Sequence, residues 1–287
     1  MNMAIRGIDA DFGPYHADTF TNDLHPTLKA DFILANPPFN YHPWNQDKLL
    51  EDVRWKFGIP PAGNDNLEQQ ARSIFHSWFI DFEPFGGTKP SDWQPTTLGK
   101  LAVIRTDSWS PAKNPDVLIE HYSIPAFDEY HCPVFEPAAD IKSNKYFLTP
   151  DSVMISKLNP NTKRIWRPLC LSEYAVCSTE FIVYEARKNG QRDYIYSIID
   201  SVPFLNHLCS HMTGSTNSHQ RATPKATLDF SIFLPSDSVI EDFCQMVTPM
   251  YNLIASNIVE NQSLARTRDN LLPKLMSGEL DVSAINL

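Results

Sequence analysis

The chain has 287 residues, 42% of them hydrophobic, and can therefore bury one or two cores of ordinary domain size. Its 34 acidic residues outnumber its 24 basic residues, and the net charge of -10 excludes a protein that coats nucleic acid or an anionic membrane by charge alone. Five scattered cysteines without a Cys-x-x-Cys pair favour neither a disulfide scaffold nor a zinc site. Because the sequence has no apolar run of about 20 residues and no signal-peptide pattern, we expect a cytoplasmic protein that does not enter a membrane.

The first clear pattern along the chain is an apolar run at residues 30–35, which predicts a buried strand. The run ends at Asn36, Pro37, Pro38 and Phe39. Methylation of an adenine amine requires the base to leave the stack, acceptors to hold the amine and an aromatic face to hold the ring. The asparagine oxygen, a proline carbonyl and the phenylalanine ring would supply those groups. The alternative interpretation is a proline-stiffened turn at the end of a strand.

A turn-rich stretch at residues 58–63 comes next and is followed by a predicted helix that runs from Asn66 to Phe79. Asp65 or Asn66 can cap the N-terminus of this helix. From Leu67 onwards, apolar residues recur at helical spacing and form one stripe. We therefore expect a short helix that buries one face.

Residues 98–235 consist of short apolar or alternating runs separated by Pro, Asn, Asp and Gly, the pattern of strands in a mixed domain. The predicted strands are residues 101–104, 119–124, 152–158, 175–183 and 230–234. Two short helices are predicted at residues 194–200 and 204–208, on either side of Pro203. The plainest interpretation of this stretch is an α+β domain.

A long helix is predicted at the C-terminal end of the chain. Ser238 with Glu241 three residues later is a capping-box pattern, and Pro273 would remove the donor of the following turn. From Ile240, positions alternate in steps of four and three to form a heptad seam that turns polar towards its end, and Pro249 predicts a kink within it. The predicted fold class is accordingly α+β: one mixed α/β module with a long C-terminal coiled-coil-type helix and a short N-terminal helical segment.

The Asn-Pro-Pro-Phe sequence and its flanks, residues 2–9, 29–39 and 52–64, resemble the modification subunit of type I restriction–modification systems, an adenine-N6 methyltransferase. In that family, a glycine-rich loop that binds S-adenosylmethionine precedes the Asn-Pro-Pro-Phe strand. No such pattern stands before Asn36 here. The resemblance therefore implies a truncated methyltransferase-like fragment without a cofactor, in which the Asn-Pro-Pro-Phe sequence is a vestigial adenine-holding motif.

A second resemblance covers the rest of the chain. Residues 66–84, 119–128, 177–181 and 268–280 are similar to parts of the type I specificity subunit, the protein that chooses the DNA sequence. That family has two target-recognition domains separated by two long helices, whereas this sequence has one recognition domain and one long helix. The resemblance implies the C-terminal half of a specificity subunit. The organisation it implies is a fragment at 1–64, a short helix and linker at 65–97, a target-recognition domain at 98–235, and a long helix with a tail at 236–287.

Residues 140–192 reverse the overall charge of the chain, with nine Lys and Arg against five Asp and Glu. Cations suit DNA phosphates, and amide or guanidinium groups suit base edges. Loops at residues 156–164 and 213–225 hold these residue types. The candidate DNA-binding residues are Lys142, Lys145, Lys157, Asn159, Asn161, Lys163, Arg164, Ser215, Asn217, His219, Gln220, Arg221 and Lys225. For each of them alone, a solvated surface charge or a turn-stabilising side chain is the alternative.

We expect neither catalytic residues nor a metal site. His207 and His211 stand four residues apart with Cys209 between them, but one turn supplies two ligands at most. The sequence has no His-Glu-x-x-His pattern and no nucleophile elbow.

The function implied by the second resemblance is non-catalytic DNA recognition. The partners would be double-stranded DNA, the modification subunit and, through it, the restriction subunit, with no cofactor and no membrane. Because the heptad seam has no complete partner within the sequence, a homodimer through helices 66–82 and 238–272 is a further expectation. Two alternatives stay open: an adenine-N6 DNA methyltransferase fragment acting in its own right, and a non-functional gene-fusion product.

Overall fold

The computed structural model describes residues 64–213 and 220–279, all within one compact unit that spans residues 62–287. The strand predicted at residues 30–35 lies outside the described residues. So do the predicted site residues Asn36, Pro37, Pro38, Phe39, Ser215, Asn217 and His219. None of the described helices combines the length and the apolar character needed to span a bilayer.

The described residues contain both helices and strands, and the predicted α+β class is confirmed. The helices are α1 (Asn64–Phe79), α2 (Ile124–Tyr130), α3 (Arg192–Asp200), α4 (Val202–Ser210), α5 (Pro224–Thr227) and α6 (Asp237–Met276). The strands are β1 (Gln94–Thr97), β2 (Ala102–Arg105), β3 (Ser108–Trp109), β4 (Leu118–Tyr122), β5 (Val134–Pro137), β6 (Lys145–Phe147), β7 (Ser152–Ser156), β8 (Ile165–Trp166), β9 (Ala175–Ser178), β10 (Phe181–Ala186), β11 (Met212–Thr213), β12 (Arg221–Ala222) and β13 (Ser231–Leu234).

A four-stranded antiparallel sheet in the order β2-β10-β7-β8 forms the middle layer. Its inner strands are buried on both faces. Val153 and Ile155 of β7 pack with the helices, whereas Met154 packs with side chains of a second sheet. Burial on both faces explains why these strands are continuous apolar runs rather than alternating ones.

The second sheet has five strands in the order β3-β6-β9-β4-β5, with β4 and β9 parallel and the other pairs antiparallel. It packs on the four-stranded sheet through residues such as Tyr122 and Cys177. Two small antiparallel pairs, β1 with β13 and β11 with β12, complete the described strands. The sequence does not predict β1, because Gln94–Thr97 lacks the apolar alternation that marks a strand.

The prediction of a single strand at residues 175–183 is wrong, because this stretch contains β9 and the first part of β10. β9 belongs to the five-stranded sheet and β10 to the four-stranded sheet, and the chain turns between them. The Ser178 hydroxyl accepts a hydrogen bond from the Glu180 amide at 3.2 Å. Such a side-chain bond offers the backbone an alternative to the strand ladder. One apolar run therefore supplies strands to two layers.

α1 and the first half of α6 share one apolar core with the four-stranded sheet. The ring centroid of Phe243 on α6 lies 6.0 Å from Phe75 and 5.1 Å from Phe79 of α1, and 6.0 Å from Tyr194 of α3. Edge-on aromatic pairs at these distances stabilise the packing beyond the area they bury. The end of α1 is therefore fixed against the first turns of α6.

α1 ends at Phe79, where the apolar pattern of the predicted helix also ends, and not at residue 82, the limit used for the expected pairing of helices. The amides of Ile80 and Asp81 both donate to the carbonyl of His76 at 2.9 Å. Phe82 then takes a left-handed conformation, with a φ of 57°. A left-handed residue after the last turn stops an α-helix, which the apolar spacing alone does not reveal.

α6 begins one residue earlier than predicted, and a different serine caps it. The hydroxyl of Ser236 accepts a hydrogen bond from the Val239 amide at 3.4 Å. Ser238, the cap predicted from its spacing to Glu241, lies inside the first turn, and its hydroxyl is 3.0 Å from that of Ser236. Because the true cap lacks a Glu at the capping-box spacing, the pattern pointed to the wrong serine.

α6 also ends later than predicted, at Met276 rather than at residue 272. Pro249 and Pro273 both lie inside the helix. Each removes one backbone donor, but the helix continues because the neighbouring turns keep their hydrogen bonds. The last turn closes with a hydrogen bond from the Ser277 amide to the Pro273 carbonyl at 2.9 Å, and Gly278, with a φ of 74°, follows it.

The two halves of α6 differ in burial. As the heptad pattern predicts, Ile240, Val247 and Tyr251 are buried against the rest of the unit. Beyond Ile258 most of the large apolar residues face solvent, and Leu264 has 58% of its surface exposed, whereas Leu272 is half-buried. Within the described residues, the C-terminal half of α6 therefore has a much smaller share of the core than the N-terminal half.

Candidate nucleic-acid interface

The described parts of the two predicted DNA-binding loops meet in the structure. The Asn159 amide donates to the Gln220 carbonyl, and the Ala222 amide donates to the Lys157 carbonyl, both at 2.9 Å. An antiparallel bridge lies between these two hydrogen bonds. We call these segments, residues 157–161 and 220–225, the loop platform.

The first segment of the loop platform is a hairpin connection between β7 and β8. The Ser156 amide donates to the Arg164 carbonyl at 2.9 Å and closes the hairpin. Within it, Asn159 has a φ of 48°, a left-handed conformation that asparagine tolerates better than most residues. The Thr162 amide donates to the Asn159 carbonyl at 2.9 Å. This turn leaves the Asn161 side chain exposed.

The second segment of the loop platform adds a guanidinium, an amide and an ammonium group. Arg221 donates two hydrogen bonds to Glu180, at 3.0 and 3.2 Å, while 46% of its side chain stays exposed. Gln220 is half-buried and Lys225 is exposed. The bidentate pair fixes the Arg221 guanidinium in one orientation at the surface.

Lys145 does not lie on a DNA-accessible surface. It is buried in β6, where its ammonium donates to the hydroxyl and the carbonyl of Ser143 at 2.7 and 3.2 Å. Burial lowers the pKa of Lys145. Lys142 is exposed, but it lies in the loop before β6 of the five-stranded sheet rather than on the loop platform.

Lys163 and Arg164 are also held inside the unit. Lys163 forms an ion pair with the buried carboxylate of Asp200. Arg164, whose side chain is 13% exposed, donates two hydrogen bonds to Asp128 at 2.6 and 2.9 Å. Both side chains anchor the hairpin between β7 and β8 through these carboxylates, although 31% of the Lys163 side chain stays exposed.

Most of the local excess of positive charge is thus paired internally. Seven of the nine Lys and Arg in residues 140–192 donate to an acceptor within the unit. They are Lys145, Lys163, Arg164, Arg167, Arg187, Lys188 and Arg192. In the part of the chain that the structure describes, Lys142 and Lys157 have no side-chain partner. The charge count of the sequence therefore overstates the positive surface that DNA could meet.

The acceptors of these cations could not be identified from the sequence. Asp200 stands 37 residues from Lys163, and Asp128 stands 36 residues from Arg164. No helical or strand spacing connects residues so far apart. Only the tertiary structure brings each carboxylate to its cation. The sequence pattern therefore cannot show which cations are paired within the unit and which are free to contact DNA.

The rings of His207 and His211 form a tilted pair with an interplanar angle of 49°. Their ring centroids are 4.5 Å apart. Nε2 of His207 is 2.9 Å from the Ala226 carbonyl, and Nδ1 of His211 is 2.9 Å from the His207 carbonyl. Among the described residues, no cluster of three or more His, Cys, Asp or Glu could hold a metal ion. The pair ties α4 to α5.

The N-terminal part of the chain matches known methylases. A family described as N-6 DNA Methylase matches residues 1–75. The methylase subunit of the type I restriction enzyme HindI from Haemophilus influenzae is 53% identical over 76 residues, which are 26% of this chain and 17% of that subunit.

The larger part matches a different subunit. The specificity subunit of the type I restriction enzyme MjaIX from Methanocaldococcus jannaschii is 24% identical over 242 residues, 77% of this chain and 55% of that subunit. The chain resembles two type I restriction–modification subunits. A crystal structure of the HsdS subunit from Thermoanaerobacter tengcongensis is 21% identical, has a TM-score of 0.46, and matches over 69% of this chain and 52% of its own. Both predicted resemblances are confirmed, and the chain spans about half of the matching specificity subunit.

The methylase resemblance extends further than predicted. The family match continues to residue 75, whereas the sequence pattern suggested an end at residue 64. The matched segment therefore includes most of α1. α1 is the helix that packs against α6, so a methylase-like stretch contributes directly to the core of the unit that resembles a specificity subunit.

Proposed function

We propose that this chain is a DNA-recognition half-subunit of a type I restriction–modification system and that it has no catalytic activity of its own. The observation that carries the proposal is the likeness to a specificity subunit over 77% of the chain. The presence of one recognition module and one long helix agrees with a half-subunit, because the sequence covers 55% of that relative.

The loop platform is the proposed contact with one half of a bipartite DNA site. Lys157 and Lys225 offer cations for phosphates. Asn161, Gln220 and Arg221 offer the amide and guanidinium groups that recognise base edges. The cations Lys145, Lys163 and Arg164 are left out of this proposal, because each is paired with an internal acceptor and is at least half-buried. Arg221 is kept, because 46% of its side chain stays exposed in its pair with Glu180.

α6 is the proposed docking element for the modification subunit and, through it, the restriction subunit. Large apolar residues recur along one face of this helix at spacings that are close to whole helical turns, and 42% to 58% of the surface of each is exposed. We call this set the outer stripe: Met246, Leu253, Leu264, Leu271 and Leu275. Because exposed apolar patches of this kind mark interaction sites, the outer stripe is suited to bind another protein.

A homodimer of this chain would pair through α6 and not through both helices. α1 already buries Leu67, Ala71 and Phe75 in the core of its own chain. Its apolar face is therefore occupied, and the expected pairing through helices 66–82 and 238–272 reduces to pairing through the outer stripe. Two copies related by a two-fold axis would place two recognition modules on one duplex, which implies a palindromic split target.

The test of the proposed function is selection of bound sequences from a random duplex library by the chain purified together with its modification subunit. We expect enrichment of a two-part sequence with a fixed gap. Enrichment of the same sequence by the modification subunit without this chain, or no enrichment above the input library, would contradict the proposal.

The second candidate function is adenine-N6 methylation by this chain itself, which the 53% identity to a methylase subunit favours. Calorimetry with S-adenosylmethionine separates the two candidates. On our proposal the purified chain binds no S-adenosylmethionine, whereas tight binding with methyl transfer to DNA would favour the alternative.

A further inference from the structure

A buried helix with a carboxylate at each end connects the loop platform to α1 and α6. All residues of α3 from Asp193 to Asp200 are buried. Asp193 lies in its first turn and Asp200 is its last residue. A buried carboxylate without a positively charged partner raises the free energy of the folded chain. The groups that contact these two carboxylates therefore determine the position of α3 in the unit.

The first end of α3 is tied to α6. Asp193 accepts two hydrogen bonds from Arg167, at 2.7 and 3.1 Å, and a third from the Thr248 hydroxyl of α6 at 2.7 Å. Nε of Arg192 donates a longer one, at 3.4 Å. Arg167 also donates to Asn252 of α6 at 2.9 Å. Burial acts to raise the pKa of Asp193, but the hydrogen bonds and charge of Arg167 hold that pKa below its ordinary value.

The other end of α3 is tied both to α1 and to the hairpin of the loop platform. The Asp200 carboxylate, 3% exposed, accepts a hydrogen bond from Nε of Arg72 on α1 at 2.6 Å. Lys163 forms an ion pair with the same carboxylate and donates to the Asp200 carbonyl at 2.9 Å. A carboxylate at a helix C-terminus is repelled by the negative end of the helix dipole, so both cations are needed to offset its burial.

The two cations that contact Asp200 lie on different elements of the fold, one on the hairpin between β7 and β8 and the other on α1. Lys163 lies in the hairpin that carries Lys157 and Asn161, whereas Arg72 lies on α1, which is fixed to α6. If the hairpin moved relative to α1, Asp200 would lose one of its two cations. A change in the angle between the hairpin and the helices would therefore raise the free energy of the folded chain, because it would leave the buried carboxylate with only one cation.

We infer that Asp200 is a positioning residue for DNA recognition, because it holds the hairpin of the loop platform at a fixed orientation to α1 and α6. The inference rests on the proposed function for its DNA role. It assigns Lys163 to anchoring and not to phosphate contact. A half-subunit needs such an anchor, since the distance between two half-sites depends on how each recognition module is set on its helix.

The first test is hydrogen exchange of backbone amides in the full chain without DNA. We expect Asp200→Asn and Lys163→Met to speed exchange several-fold in residues 157–163, and Lys163→Arg to restore slow exchange. Lys142→Met is the matched control and should change nothing there, because Lys142 is exposed without a partner in the described residues. Should Asp200→Asn fail to fold, Lys163→Met still decides the result, because its side chain is 31% exposed. Unchanged exchange in this hairpin would overturn the inference.

The second test measures binding of the full chain to a random-sequence duplex at several salt concentrations. Each lost phosphate contact lowers the slope of log K against log salt by about 0.9. We expect Lys157→Met to lower the slope by about this amount, and Lys163→Met to weaken binding with the slope unchanged. An equal loss of slope for Lys163→Met would overturn the anchoring role. If the unaltered chain bound no duplex, the proposed function and the DNA role of Asp200 would both fail, while the exchange test would still report whether Asp200 holds the hairpin.

Discussion

Lys225 and Lys145 show how the same residue type takes opposite roles in this unit. Lys225 is exposed on the loop platform, whereas Lys145 is buried and donates to Ser143. An ammonium can contact a phosphate only if it can reach the duplex without losing its own acceptor. The role of each lysine therefore depends on its place in the fold rather than on the local composition.

The first prediction compares these two lysines. Lys225→Met should lower the salt slope of duplex binding by about 0.9, because it removes one phosphate contact. Lys145→Met should leave the slope unchanged, because the buried ammonium makes no such contact. Fluorescence anisotropy titrations at several salt concentrations measure both slopes. Equal losses of slope in the two variants would exclude the proposed loop platform.

The second prediction concerns Asp193 and acid. Its pKa in the folded chain lies below the ordinary value of 3.8, so the unfolded chain takes up a proton first as the pH falls. The stabilisation is complete above that ordinary value and is lost as the pH falls towards the lowered one. Asp193→Asn should be less stable at neutral pH, by on the order of 3 kcal/mol, because Arg167 loses its buried partner.

Chemical denaturation at a series of pH values checks this prediction. Between about pH 5 and about pH 3, the free energy of unfolding should fall less in Asp193→Asn than in the unaltered chain. Asp151→Asn is the control, since Asp151 is exposed. A fall of the same size in all three proteins would show that Asp193 is not responsible.

At the scale of elements, the helices could be predicted from the periodicity of their apolar residues, whereas the pairing of strands into sheets could not. The helical spacing from Leu67 and the heptad from Ile240 placed α1 and α6 within a few residues of their true limits. The limits of α6 were wrong because Ser236 rather than Ser238 caps the helix, and because Pro273 lies within the helix instead of ending it. Sheet partners lie far apart in the chain, so the division of residues 175–183 between two sheets had no signal.

The third prediction tests the junction of α1 with α6. Phe243→Ala should lower the free energy of unfolding by about 3–5 kcal/mol, because it removes a fully buried ring of α6 that packs against α1. Phe233→Ala, at a ring that is 43% exposed, should cost less than about 1 kcal/mol. Equilibrium denaturation of both variants provides the comparison, and a small effect at Phe243 would mean that α1 is not fixed to α6.

The fourth prediction concerns the outer stripe of α6. Leu264→Glu and Leu271→Glu should abolish co-purification with the modification subunit, since each places a charge on the proposed docking face. Their free energy of unfolding should change by less than about 0.5 kcal/mol, because both side chains are largely exposed. Ser263→Glu, an exposed position on the same helix, is the control and should still co-purify. Normal co-purification of both leucine variants would place the docking surface elsewhere.

At the scale of the whole molecule, the two resemblances could be predicted because both rest on contiguous sequence. The boundary between them was less accurate, since the methylase match continues to residue 75 and so includes most of α1. The candidate site could be predicted only as two loops. That Lys163 and Arg164 anchor one loop, while Lys157 and Asn161 remain available on it, follows from the distant residues Asp200 and Asp128 and had no local pattern.

The central claim is that this chain selects the DNA sequence and that another subunit carries out the chemistry. The most direct measurement is a genome-wide map of N6-methyladenine in cells that express this chain, its modification subunit, or both. Our account predicts methylation at a two-part sequence only when both proteins are present. Methylation by this chain alone, or the same methylated sites without it, would contradict the claim.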